Sequence, residues 1–194
     1  TRRAILDAAI RVFARLGFDA ASTRAIAAEA DVHHALLRYH FADKDALWRA
    51  AVTQMFESQG KIFSAMQAAA PVDVRTVDGV KEMVRRFVRY SGAHPEHAQI
   101  LVHEAIADSE RQNWVTETFV RPNNAVLMGP MTKHSAQGAL RLDDPILSAT
   151  ILTATSQMAF VLARQLEALY GRSIASEAFA DGLADALVKV LFRD

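Results

Sequence analysis

Three histidines, an arginine and a tyrosine fall within eight consecutive positions, His33 to His40, as His33, His34, Arg38, Tyr39 and His40. Their shared chemistry is hydrogen-bond donation. An imidazole N–H, a phenol and a guanidinium all donate to phosphate oxygens, and a guanidinium can also fork onto the O6/N7 edge of guanine. Catalysis asks for more than this sequence supplies. It contains no glycine-rich phosphate loop, no G-x-S-x-G elbow, and no nucleophile with a recognisable base. His94-x-x-His97 offers two metal ligands one turn apart, but paired Glu-x-x-His motifs are absent and there is no cysteine. The expectation is therefore no catalytic residues, no metal site and no cofactor.

The elements that carry these donors are legible in the spacing of apolar residues. From Ser22 to Leu47, Ile26, Ala27 and Ala30 recur at helical spacing, Asp31 and Val32 form a turn, and Leu37 and Phe41 lie four apart. Two short helices locked by one stripe each make a helix-turn-helix. On the second helix, Leu37 and Phe41 must face inward. Ala35, Leu36 and Tyr39 then point away, flanked by Arg38 and His40. Small residues let such a helix approach a major-groove floor, Leu36 or Ala35 can touch a thymine methyl, and Arg38 can fork onto guanine or hold a phosphate. Tyr39, His40 and Lys44 would lie along the DNA backbone. Spacing alone also fits an ordinary helical hairpin whose charges are merely solvated.

The same segment, STRAIAAEADVHHALLRYHFADKDAL, resembles the TetR family of bacterial transcriptional repressors in the register of Thr23, Ile26, Ala27, Ala30, Val32, Leu37, His40, Phe41, Lys44 and Leu47. Three positions depart from the family pattern. Asp31 stands where a turn glycine is usual, and aspartate tolerates the left-handed region better than most residues. His33 replaces a small polar residue at the start of the recognition helix, giving a weaker N-cap but a group able to reach a base. Arg38 takes a position usually held by tyrosine, which implies an operator of its own. The resemblance extends upstream, where Ile5, Ala9, Val12, Phe13 and Leu16 form a first amphipathic helix ended by Gly17. It also implies that Thr23 contacts phosphate.

Length and charge set the frame. The 194 residues, 51% hydrophobic, suit a small head on a helical body, with residues 1–44 as the DNA-binding domain and 45–194 for ligand binding and dimerisation. Net charge is zero, but residues 1–44 hold seven Lys/Arg against five Asp/Glu, leaving fifteen against seventeen elsewhere. Non-specific DNA affinity is accordingly expected to be modest. The absence of cysteine suits a cytoplasmic protein, and no apolar run is long enough to span a bilayer, so no membrane partner is expected.

Beyond the head the sequence reads as helices without strand alternation, about nine in all, giving an all-α fold. Asp43 caps a long helix over about 44–70, and others follow over about 77–91, 95–108, 145–170 and 175–192. Pro122 and Gly129-Pro130 predict a kinked or unwound stretch between 111 and 138. The last two helices are apolar on several faces, with Ala180, Gly182 and Ala184 permitting close approach. They either complete a monomer core or pair with a two-fold mate, and the resemblance implies the homodimer. It further implies a small-molecule effector bound among the central helices that releases a palindromic double-stranded DNA operator. Polar or aromatic groups set in these apolar helices are the ligand candidates: His97, Glu104, Trp114, Gln157 and Arg164. Each could equally be a satisfied structural group. The alternative for the whole chain is a helical ligand-binding or protein-interaction dimer without DNA affinity.

Overall fold

The computed structural model describes residues 1–107 and 109–193, and these are helical apart from short connections. No strand occurs among them; a lone antiparallel bridge joins Leu140 to Phe192. Packing divides the chain into two compact units, residues 1–69 with 99–119 and residues 70–98 with the remainder from 120. The division does not fall after residue 44, where the sequence reading places it. In packing, the head shares its unit with a long helix and with residues 99–119.

The first unit opens with α1 (Arg2–Ala20), which buries Ile5, Ala9, Val12 and Phe13 as the stripe requires. Leu16, expected on the same stripe, is instead 40% exposed. Gly17 follows it with φ 72° and ψ 173°, a conformation only glycine adopts readily, so the helix breaks and one further turn re-forms. An added Cβ would also lie 3.1 Å from the His103 ring. Phe18 folds back across the break, stacked on Phe13 at 6.0 Å and edge-on to Trp48 at 6.5 Å. Next come α2 (Thr23–Glu29), α3 (His34–His40) and α4 (Lys44–Ala69). Asp31 adopts φ 52° in the turn between α2 and α3, the left-handed conformation expected there. Asp43 Oδ1 accepts from Ala46 N–H at 2.7 Å and starts α4, which packs on α1 and buries Leu47, Trp48, Ala51, Val52, Met55 and Phe56.

In the second unit α5 (Val77–Ala93) starts at a Thr76 cap and lies against α8 (Arg121–Ala136), α9 (Pro145–Val161) and α11 (Glu177–Leu191). Val80, Val84, Val88, Leu152, Phe160, Leu187 and Leu191 lie at the centre of its core. Ion pairs Arg85–Asp185 at 2.9 Å and Arg89–Asp181 at 2.6 Å stitch α5 to α11 along the rim. After α5 the chain continues through α6 (Pro95–Ala107) and α7 (Glu110–Val115), followed by a single π turn (Thr116–Val120). The expected end of α6 near Asp108 lies outside the described residues.

Two irregularities shape the body. The π turn immediately precedes Pro122, which sits in the first turn of α8, while Pro130 is carried inside that helix. Here is the local unwinding expected from the prolines. The apolar stretch expected as one helix over 145–170 is instead two. At Leu162 (φ −91°, ψ 11°) α9 gives way to α10 (Ala163–Tyr170), bent by 73°. Counting each interrupted rod once gives nine helices among the described residues. No single described helix is long and apolar enough to cross a membrane, and α9 with α10 reaches that apolarity only jointly across the bend.

Candidate nucleic-acid interface

Caps set the start of both helices in the turn. Ser22 Oγ accepts from Ala25 N–H at 3.1 Å and opens α2, while His33 Nδ1 accepts from Ala35 N–H at 3.2 Å and opens α3. α2 packs on α3, burying Ile26 and Ala27 on the one and Leu37 on the other, with Leu37 1% and Phe41 5% exposed. Anchored from behind in this way, α3 turns its other face to solvent. Tyr39 is 82% exposed, and His33, Ala35, Leu36 and Arg38 are exposed beside it. His40 is half-buried, its ring edge-on to Tyr39 at 5.3 Å and tilted against Phe41 at 6.3 Å. Arg11 donates to Glu29 Oε1 at 2.9 Å, fastening α2 to α1, and this hydrogen bond holds the Glu29 carboxyl below the usual range.

Thr23, His34, Arg38 and Lys44 line one cleft among the starts of α2 and α4 and the side of α3. Thr23 Oγ1 and His34 Nε2 lie 3.0 Å apart across it, both half-buried. Lys44 is the exception to the expected row of phosphate donors. Its ammonium donates to the carbonyls of Phe18 at 2.8 Å, Ala21 at 3.1 Å and Asp19 at 3.3 Å, and sits 4.3 Å from the Phe18 ring centroid. An ammonium has three donors, and all three are engaged in closing the broken end of α1. Lys44 is thus a cap reaching back from α4. Lys44→Ala is expected to lower stability by about 1–2 kcal/mol while leaving the salt slope of DNA binding unchanged. A phosphate ligand would instead lower that slope by about 1. Thermal melts and a salt titration of binding check both halves.

Of the five ligand candidates, Glu104 and Trp114 lie in the first unit and His97, Gln157 and Arg164 in the second. In the first unit Glu104, 2% exposed, accepts from Ser109 Oγ at 2.8 Å and pairs with Arg111 Nε at 3.2 Å. The Arg111 guanidinium in turn lies 3.5 Å from the Phe18 ring centroid. Trp114 packs edge-on against Trp48 at 5.8 Å and Phe119 at 5.4 Å, with the Arg49 guanidinium 4.8 Å from its ring. In the second unit His97 is buried, with Nδ1 3.1 Å from the Tyr90 hydroxyl. Burial, reinforced by His94, pushes the His97 ring down to about 4, and burial raises the Tyr90 phenol. Gln157 is half-buried on the side of α9 shared with Thr150 and Ala154, away from the core, and Arg164 is exposed at the start of α10. The Arg111–Phe18 contact escaped the sequence because nothing in residue spacing signals a cation resting on a ring 93 positions away.

Comparison with known proteins places this geometry. Residues 5–51 match the family model described as bacterial regulatory proteins, tetR family. The chain is 24% identical over 196 residues to the HTH-type transcriptional regulator RutR of Escherichia coli strain K12, covering 99% of this chain and 89% of that protein. Its fold is shared with a putative transcriptional regulator from Saccharomonospora viridis solved in complex with choline, at TM-score 0.72, 18% identity, and coverage of 100% and 98%. The fold is likewise that of the regulator FadR from Bacillus subtilis solved with stearoyl-CoA, at TM-score 0.67, 14% identity, and coverage of 98% and 99%. With its helix-turn-helix in register and its outward edge built as the sequence required, the segment 5–51 is similar to the DNA-binding head of the tetR family of bacterial regulatory proteins.

Proposed function

We propose that the protein is a cytoplasmic, ligand-responsive transcriptional repressor that binds a palindromic operator as a homodimer and leaves it when a small molecule binds. The observation that carries this reading is the orientation of α3, with Leu37 and Phe41 buried while Arg38 and Tyr39 stand exposed on the opposite edge. In that orientation Arg38, Ala35 and Leu36 are base readers, and Tyr39, His40, His33 and Thr23 are backbone or base-edge contacts.

Symmetry supports the dimer. Leu147, Thr150 and Ala154 on α9, and Ala178, Gly182 and Ala186 on α11, lie exposed on the sides opposite their buried stripes. A second copy laid on these faces makes a four-helix interface and sets two recognition helices about 34–36 Å apart or somewhat more, matching half-sites related by one duplex turn. The effector acts through residues 45–194 by its differential affinity for two conformers, worth about 1–3 kcal/mol of coupling. Choline and stearoyl-CoA, bound by the two fold relatives, differ in size and charge, which supports an effector class set by each chain's own side chains. Among these, Trp114 and Gln157 are the better candidates here, since Glu104 and His97 are engaged by Arg111 and Tyr90.

Selection from a pool of random duplexes at low salt tests the reading. A palindrome should be enriched, and Arg38→Ala should relax preference at one position of each half-site at a cost of about 1–3 kcal/mol. A pool that returns no palindrome overturns the repressor.

A further inference from the structure

We propose that His34 is a positioning residue for DNA-backbone contact, acting through Thr23. Its Nε2–H donates to Thr23 Oγ1 and so directs the threonine hydroxyl hydrogen onto one phosphate. The inference rests on the DNA-binding reading above.

The pair joins the first residue of α2 to the first residue of α3, eleven positions apart, at 3.0 Å. Both side chains line the cleft that also holds Arg38 and Lys44. Either tautomer of the ring satisfies the hydrogen bond in the absence of DNA. A phosphate removes that freedom, because it offers acceptors only. If the hydroxyl donated to the ring, its lone pairs would face the phosphate oxygens. Donation by Nε2–H leaves the single hydroxyl hydrogen available to the anion, and each bond in the row then polarises the next. Lys44 cannot substitute, since its three donors are held by carbonyls of the α1 end. The cleft therefore presents a two-residue relay to the phosphate, with the Arg38 guanidinium nearby. Position 34 thereby gains a role that depends on no base.

The test is a double-mutant cycle on the duplex enriched by selection and on a scrambled duplex, using wild type, Thr23→Ala, His34→Ala, the double variant and His34→Gln. His34→Ala and Thr23→Ala should each weaken binding about five- to tenfold on both duplexes, and the double variant should lose no more than either alone. Glutamine, whose Nε2 amide supplies the same donor, should restore most of the loss. Replacing single phosphates by neutral methylphosphonates should identify one position per half-site that weakens wild type but is silent in both alanine variants. A purely structural staple between α2 and α3 would not produce that silence. Additive losses, failure of glutamine to rescue, or a methylphosphonate pattern unchanged by His34→Ala overturns the relay while leaving the regulator intact. Absence of any wild-type binding to either duplex at low salt removes the regulator reading and the relay together.

Discussion

Replacing Arg111 by leucine is expected to destabilise the protein by about 3–5 kcal/mol, because it strands a carboxylate that has no route to water. Glu104 is 2% exposed and its charge is met by Arg111 Nε at 3.2 Å and by Ser109 Oγ at 2.8 Å. Arg111 is itself mostly covered, with its guanidinium laid on Phe18 at 3.5 Å and 5.8 Å from the Trp48 ring. Loss of the arginine removes the ion pair and the ring contact at once. Loss of both charges is a different matter. The double variant Glu104→Leu with Arg111→Leu should regain most of the stability, since paired buried charges can be exchanged for apolar groups at little net cost. Urea unfolding of the three variants checks this. A double variant no more stable than Arg111→Leu alone would mean that the ring contact, rather than the charge pair, holds α7 to the head.

The second large effect concerns Gly182. A side chain built there meets nothing within 4 Å, so Gly182→Arg should leave the single chain folded and its helix content unchanged. On the proposed two-fold face the same arginine has no room. Sedimentation should therefore report a monomer, and affinity for the selected palindrome should fall by about a thousandfold or more, towards that of non-specific binding. Half of a symmetric reader contacts only half of its site. A Gly182→Arg protein that remains dimeric with undiminished affinity would remove α11 from the interface.

How much of this was legible beforehand depended on whether the physics was local. The cap at Asp43 and the left-handed Asp31 follow from residue type and immediate neighbours, and both are observed. The inward pair Leu37 and Phe41 followed equally from helical spacing. Leu162 could not be foreseen, because the run from Pro145 to Tyr170 holds neither proline nor glycine after its first residue and its apolar pattern continues through the bend. Lys44 misled because a lysine at the start of a helix reads the same whether its ammonium meets a phosphate or three carbonyls from a distant turn. Glu104 and Arg111, seven positions apart on opposite sides of a helix break, likewise reveal their pairing only in three dimensions.

On the proposed function, the unusual cap of α3 restricts what the operator can look like. Because His33 Nδ1 receives the Ala35 amide hydrogen, that nitrogen carries no proton, and the one on the far side of the ring must. The leading tip of the recognition helix is thereby fixed as a donor with no complementary acceptor. Base edges rich in lone pairs, such as purine N7, guanine O6 or thymine O4, can sit beneath it, whereas the amino group of cytosine is turned away. A serine in the same place, able both to give and to receive, would leave that letter of the palindrome undetermined.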